Sequence, residues 1–206
     1  MTDKLVLHEY SASGNCYKVR LTAALVGKTL ERREYDIMKG ETRTPEFLAN
    51  VNSNGRIPVL QVGDRFIPES NAASYYVAHG SELIPTESFD HADMLRWMFW
   101  EQYNHEPNVA TLRFWMGWIG PDNLSEQQRV QVPAKREQGN AALKLMNDHL
   151  QGHDWFIGNS VSLADICLFA YTHVAGDADF DLGRYPAVSD WIERVKAVPG
   201  YIAMDA

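Results

Sequence analysis

Ile57-Pro58-Val59-Leu60-Gln61-Val62-Gly63-Asp64-Arg65-Phe66-Ile67 is the stretch whose reading decides the fold. Two β-prone runs flank Gly63-Asp64, the pattern of a hairpin with a two-residue turn. A proline opening the first of these strands must sit where no ladder donor is needed. Working back, 4–10 (Lys-Leu-Val-Leu-His-Glu-Tyr) reads as a strand. Residues 16–27 follow as a helix with Val19, Leu21, Ala23, Ala24, Leu25 and Val26 apolar and Gly27 as its stop. Residues 31–37 read as a second strand, and Thr44-Pro45-Glu46-Phe47-Leu48 opens a short helix with proline in its first turn. Working forward, 71–79 reads as a helix, so the first eighty residues spell βαβαββα.

Beyond them the texture changes. Residues 81–88 are polar, hold Pro85 and read as a linker. Strand signals then vanish: 90–118, 125–150, 162–175 and 187–198 all show helical spacing, with Pro107 expected to kink the first. The expected division is therefore 1–80, a linker 81–88, and an all-helical domain 89–206.

Composition narrows the function classes. At 206 residues, 45% hydrophobic and 22% charged, the chain has the makeup of a globular protein of one large or two modest domains. A formal charge of -8 with no basic run argues against nucleic acid or an anionic membrane as partner. Met1-Thr2-Asp3-Lys4 leads into an apolar segment too short for a signal-peptide core, and no run approaches a membrane span, so a cytoplasmic location is expected. Two cysteines, Cys16 and Cys167, fit a reducing compartment. Cys167, within Ile166-Cys167-Leu168-Phe169-Ala170, reads as a buried hydrophobe. His149 and His153 stand four apart without a third ligand nearby, so no metal site is expected.

The chemistry concentrates where the first strand meets the first helix. Ser13-Gly14-Asn15-Cys16 lies at a helix N-terminus, which favours an anion such as a thiolate. Lowering a thiol pKa by two units takes about 2.7 kcal/mol of preferential thiolate stabilisation. One hydroxyl hydrogen bond to the charged form supplies about 1.5–3 kcal/mol of it. By position alone, Ser13 serves equally well as a plain helix cap.

Three segments in this order carry a resemblance: Tyr10-Ser11-Ala12-Ser13-Gly14-Asn15-Cys16-Tyr17-Lys18-Val19-Arg20, then Arg56-Ile57-Pro58-Val59-Leu60, then Glu69-Ser70-Asn71-Ala72-Ala73-Ser74-Tyr75-Tyr76-Val77. Over its whole length the chain resembles the soluble glutathione transferase superfamily, of a bacterial-like, serine-type kind, in which a thioredoxin-like N-terminal domain precedes a helical one. Ser162-Leu163-Ala164-Asp165, a capping box ahead of an apolar run, matches that family's folding motif.

The resemblance implies glutathione as co-substrate. It makes Pro58 cis, with Ile57 offering its main chain to the cysteinyl unit, and it sets Glu69 and Ser70 on the γ-glutamyl amino group and carboxylate. Lys39, or else Arg56, would meet the glycine carboxylate. Ser13 falls on the activating position, with Asn15 as a second donor to sulfur. Ser13 and Cys16 stand where thioredoxins carry Cys-x-x-Cys, which leaves Cys16 as a candidate for disulfide exchange. Tyr103, His105, Arg113 and Trp115 are the candidates for a second-substrate pocket that takes a small hydrophobic electrophile. A homodimer and a detoxifying role are implied in the same way. Three activities stay open: conjugation of glutathione to an electrophile, glutathione-dependent disulfide reduction, and binding of glutathione without turnover.

Overall fold

In a computed structural model, described over residues 4–206, the chain divides into two units: one reaches to Ile84 and includes Val198–Ala206, the other is Pro85–Ala197. Met1–Asp3, on which the expectation about a leader partly rests, lie outside the described residues. The division falls inside the expected linker, but the tail corrects the expectation of one helical domain running to residue 206. Its main-chain carbonyls are hydrogen-bonded by Tyr17 and Arg20 of the first unit, a long-range pairing that local periodicity does not encode.

The first unit is built on a four-stranded mixed sheet in the order β2-β1-β3-β4: β1 (Leu5–Glu9), β2 (Glu31–Glu34), β3 (Val59–Val62) and β4 (Arg65–Pro68). β1 and β2 run parallel, as strands joined through a helix do, whereas β1/β3 and β3/β4 are antiparallel. The β3/β4 turn places Gly63 at φ +62°, a conformation glycine adopts without steric cost. The Ile57–Pro58 peptide is cis and lies just before β3, outside the ladder. Three helices complete the unit: α1 (Gly14–Leu25), α2 (Pro45–Asn50) and α3 (Ser70–Ala78). α1 and α3 pack together over a core of Leu7, Val19, Ala23, Leu60, Val62, Ala73 and Val77, all nearly inaccessible.

The second unit is helical throughout its regular structure: α4 (Ser88–Trp100), α5 (Glu106–Phe114), α6 (Glu126–Leu150), α7 (Leu163–Thr172) and α8 (Pro186–Lys196). The expected single helix over 90–118 is interrupted by π-turns at Glu101–His105 and Trp115–Ile119. Pro107 accounts for the first. Its ring would meet the carbonyl four residues earlier in a regular helix, and the Glu106 N–H reaches back to Glu101 instead. Every residue of α7 is buried, Cys167 among them. Asp165 begins it from within the core, accepting from the Ser162 N–H (2.8 Å), the Phe156 N–H (3.1 Å) and Trp191 Nε1 (3.0 Å). Burial raises its pKa, while these donors oppose the rise and satisfy the carboxylate.

Candidate functional site

The strand registers bring the sequence motifs to one end of the sheet. In β1/β3 His8 faces Val59, and in β3/β4 Val59 faces Pro68. β1 therefore ends, β3 begins and β4 ends at the same end of the sheet, with Tyr10 just after β1, Ile57 two residues before β3 and Ser70 two residues after Pro68. The loop after β1, the residue before Pro58 and the start of α3 therefore share an edge, although they are far apart in sequence. No turn, loop or cap hydrogen bond among the described residues takes up the Ile57 N–H or C=O.

Ser13 caps α1 from extended backbone, and its Oγ accepts from the Cys16 N–H at 3.4 Å. Asn15, in the first turn of that helix, accepts from Ser70 Oγ at 3.1 Å, which joins the two helix starts directly. Ser70 is the first residue of the nine-residue α3, and its side chain is buried. Just before it, Glu69 holds φ +71°, a backbone geometry that costs a non-glycine residue about 1–3 kcal/mol, and its side chain is exposed. Helix N-termini at Ser13 and Ser70 both favour negative charge, whereas the Glu69 carboxylate beside the second favours a cation. This arrangement is matched to a zwitterion with an acidic group at its far end.

Sequence reasoning missed Lys18, Asn71 and Arg20. Lys18 is fully buried in α1, with Nζ 3.1 Å from Asn71 Oδ1 and 3.5 Å from Ser70 Oγ, so an ammonium sits beneath the start of α3. The available signal was two basic residues, Lys18 and Arg20, inside a helix otherwise apolar enough to be buried.

Other expected residues stand apart. Lys39, at the end of a short 3-10 turn (Ile37–Lys39), is three-quarters exposed and paired with Asp36 at 3.0 Å. Arg56 is exposed, and its carbonyl accepts from Asn52 Nδ2 at 2.9 Å. Cys16 is fully buried and its Sγ accepts from the Tyr10 N–H at 3.4 Å. Burial pushes the thiol up to about 12 against the smaller effects of the Tyr10 and Ser13 hydrogen bonds. It is therefore a neutral core group at physiological pH, which corrects its expected part in thiol chemistry, since exchange needs an accessible thiolate.

The four expected second-substrate contacts do not converge. Tyr103 is 83% exposed, whereas His105 is wholly buried. The His105 Nε2–H donates to Thr172 Oγ1 at 3.0 Å, because the threonine proton is given to the Leu168 carbonyl at 2.7 Å. Arg113 is buried, pairs with Asp177 at 2.9 Å and lies over the Trp118 ring. Trp115 is half-buried with Lys135 Nζ over its ring. Tyr103 and His105, two residues apart, face opposite sides of the helix, and His105 has no surface to offer a substrate.

Comparisons with known proteins agree with this architecture. Residues 5–79 match the glutathione S-transferase N-terminal domain and residues 96–199 the C-terminal domain of the same family. A crystal structure described as a possible glutathione S-transferase from Rhodopseudomonas palustris superposes with a TM-score of 0.92 at 41% identity, over 98% of this chain and 90% of that one. Glutathione S-transferase-like protein LUC7 of a Fusarium species is 27% identical over 91% of this chain and 86% of its own length. Disulfide-bond oxidoreductase YfcG of Escherichia coli is 28% identical over 80% of this chain and 77% of its own. The chain spans only 39% of elongation factor 1-gamma 3 of Oryza sativa, with which it is 30% identical over 167 residues. With both domain matches in their family order along one chain, this protein belongs to the soluble glutathione S-transferase superfamily and is a transferase.

Proposed function

We propose that glutathione lies across the sheet edge defined by Tyr10, Ile57 and Ser70, and that the protein adds its sulfur to a small hydrophobic electrophile. The observation that carries this reading is the Ser70–Asn15 hydrogen bond, which joins the two helix starts at the end of the sheet where β1 and β4 finish and β3 begins. The γ-glutamyl carboxylate meets Ser70 and the α3 N-terminus, and the amino group meets Glu69. The cysteinyl main chain pairs with Ile57 N–H and C=O beside Pro58. This directs the sulfur to Ser13 and Asn15 at the α1 N-terminus, where a thiolate is favoured. The glycine carboxylate is assigned to Lys39, which must leave Asp36 to reach it, with Arg56 as the other candidate. Of the second-substrate candidates, Tyr103, Arg113 and Trp115 remain, since burial removes His105 alone.

Titration calorimetry tests the binding half of this reading. Glutathione binds the parent protein, and Ser70→Ala weakens it about tenfold or more, the loss of one charge-assisted hydrogen bond. Equal affinity in both would remove Ser70 from the site.

A homodimer is proposed through the face of α4 that carries Phe99, 72% exposed, and Tyr103 one turn on. Such paired aromatics are what interfaces favour. A cytoplasmic location and a detoxifying role complete the proposal. The likeness to a disulfide-bond oxidoreductase favours a second reading, reduction of small disulfides by glutathione, with a second glutathione as the resolving thiol because Cys16 is buried.

A further inference from the structure

We infer that Arg20 is a positioning residue for the thiol loop and that the segment 202–206 completes it, so that the tail holds Ser13 in place from behind. The inference rests on the reading that Ser13 meets the glutathione sulfur. Arg20 is 3% exposed: its two terminal nitrogens donate hydrogen bonds to main-chain oxygens, and its Nε makes an ion pair with Glu9 that lacks hydrogen-bond geometry. Nε faces the fully buried Glu9 carboxylate at 3.1 Å, whose other oxygen is held by Arg32. Nη2 is divided between the Ser11 carbonyl at 2.6 Å and the Met204 carbonyl at 2.9 Å. Nη1 donates to the Ala206 carbonyl at 3.2 Å. Tyr17 OH adds a bond to the Ile202 carbonyl at 2.6 Å, and Arg32 Nη1 one to Ala206 at 2.9 Å.

Ser11 is the point at which this network meets the active loop. Its N–H donates to Glu34 Oε1 at 2.7 Å while its C=O accepts from Arg20, so charged side chains hold the main chain on both sides of one residue. Two residues later Ser13 begins α1, its N–H bonded to the Tyr10 carbonyl at 2.9 Å. Only a planar fork serves Glu9, the loop and the tail at once, and a lysine ammonium cannot span them. When the tail carbonyls leave, the guanidinium keeps Glu9 but loses half the acceptors that fix its plane. Water then competes for the group that holds Ser11.

Amide hydrogen exchange reads this directly and without glutathione. The parent is compared with a variant lacking 202–206, with Arg20→Lys, and with Tyr17→Phe, which removes one tail bond and leaves Arg20 in place. Exchange at the Ser13 and Cys16 amides is expected to rise about tenfold or more in the first two and less in the third, with the β3 amides unchanged. In the same variants kcat falls while the KM for glutathione stays within about twofold, a split that general destabilisation would not produce. Unchanged loop exchange in Arg20→Lys overturns the inference, whether or not the shortened chain folds. Faster loop exchange in a protein whose parent form never ionises glutathione would sustain the bracket and sink the thiol reading instead.

Discussion

Ser70 Oγ donates its only proton to Asn15 Oδ1 across 3.1 Å, tying the first residue of α3 to the second of α1. A carboxylate arriving at Ser70 would compete for that same proton, so the two ends of the proposed glutathione site are not independent. In a double-mutant cycle of Ser70→Ala and Asn15→Ala on glutathione affinity, a coupling of about 0.5–1.5 kcal/mol is expected. Additivity within about 0.3 kcal/mol would separate the two helix starts functionally.

Cys16 gives a pH-dependent prediction. Its thiol is pushed up to about 12 by burial, from the ordinary value of about 9.0 that an unfolded chain would show. Below pH about 9 both states are protonated and the contribution to stability is whole. As pH climbs toward 12 the unfolded chain alone ionises, so stability falls. Denaturant midpoints measured at rising alkaline pH should fall less steeply in Cys16→Ala than in the parent. At neutral pH the native thiol should resist an alkylating reagent that labels the unfolded chain at once. Rapid native labelling would place Cys16 back among the reactive groups.

Gly139 of α6 lies under the Phe180 ring, where an added Cβ would stand 2.5 Å and 2.7 Å from two ring carbons. Gly139→Ala gains about 1 kcal/mol of helix propensity but overpacks the contact by about 1–3 kcal/mol. A net loss of up to about 2 kcal/mol is expected, lowering Tm by about 2–4 °C per kcal/mol. A raised Tm would show that Phe180 has room to move.

Much of the fold was legible because it is written locally. The alternation on both sides of Gly63-Asp64, the glycine after α1 and the Ser162/Asp165 box each act within a few residues. The sheet order β2-β1-β3-β4 was not, because strand neighbours are chosen by long-range packing. Pro107 announced a break, but not that the helix would answer with a π-turn, nor which of Tyr103 and His105 would face the core. At the site, Ser13 and Ser70 were visible as helix starts. Lys18 and Arg20 were not, since a buried basic side chain is recognised by partners such as Asn71, Glu9 and Met204, all distant in sequence or strand position. The tail escaped for the same reason: its bonds are made by main-chain carbonyls, which carry no residue signature.

Ser13 bears the central claim, that this helix start ionises glutathione. The direct measurement is a pH titration of thiolate absorbance for glutathione bound to the parent protein and to Ser13→Ala. The account predicts a bound thiol ionising well below the free value of about 8.5 in the parent. In the variant the pKa should return upward by one to two units, about 1.4–2.7 kcal/mol. Coincident curves would contradict it and remove Ser13 as the activating group.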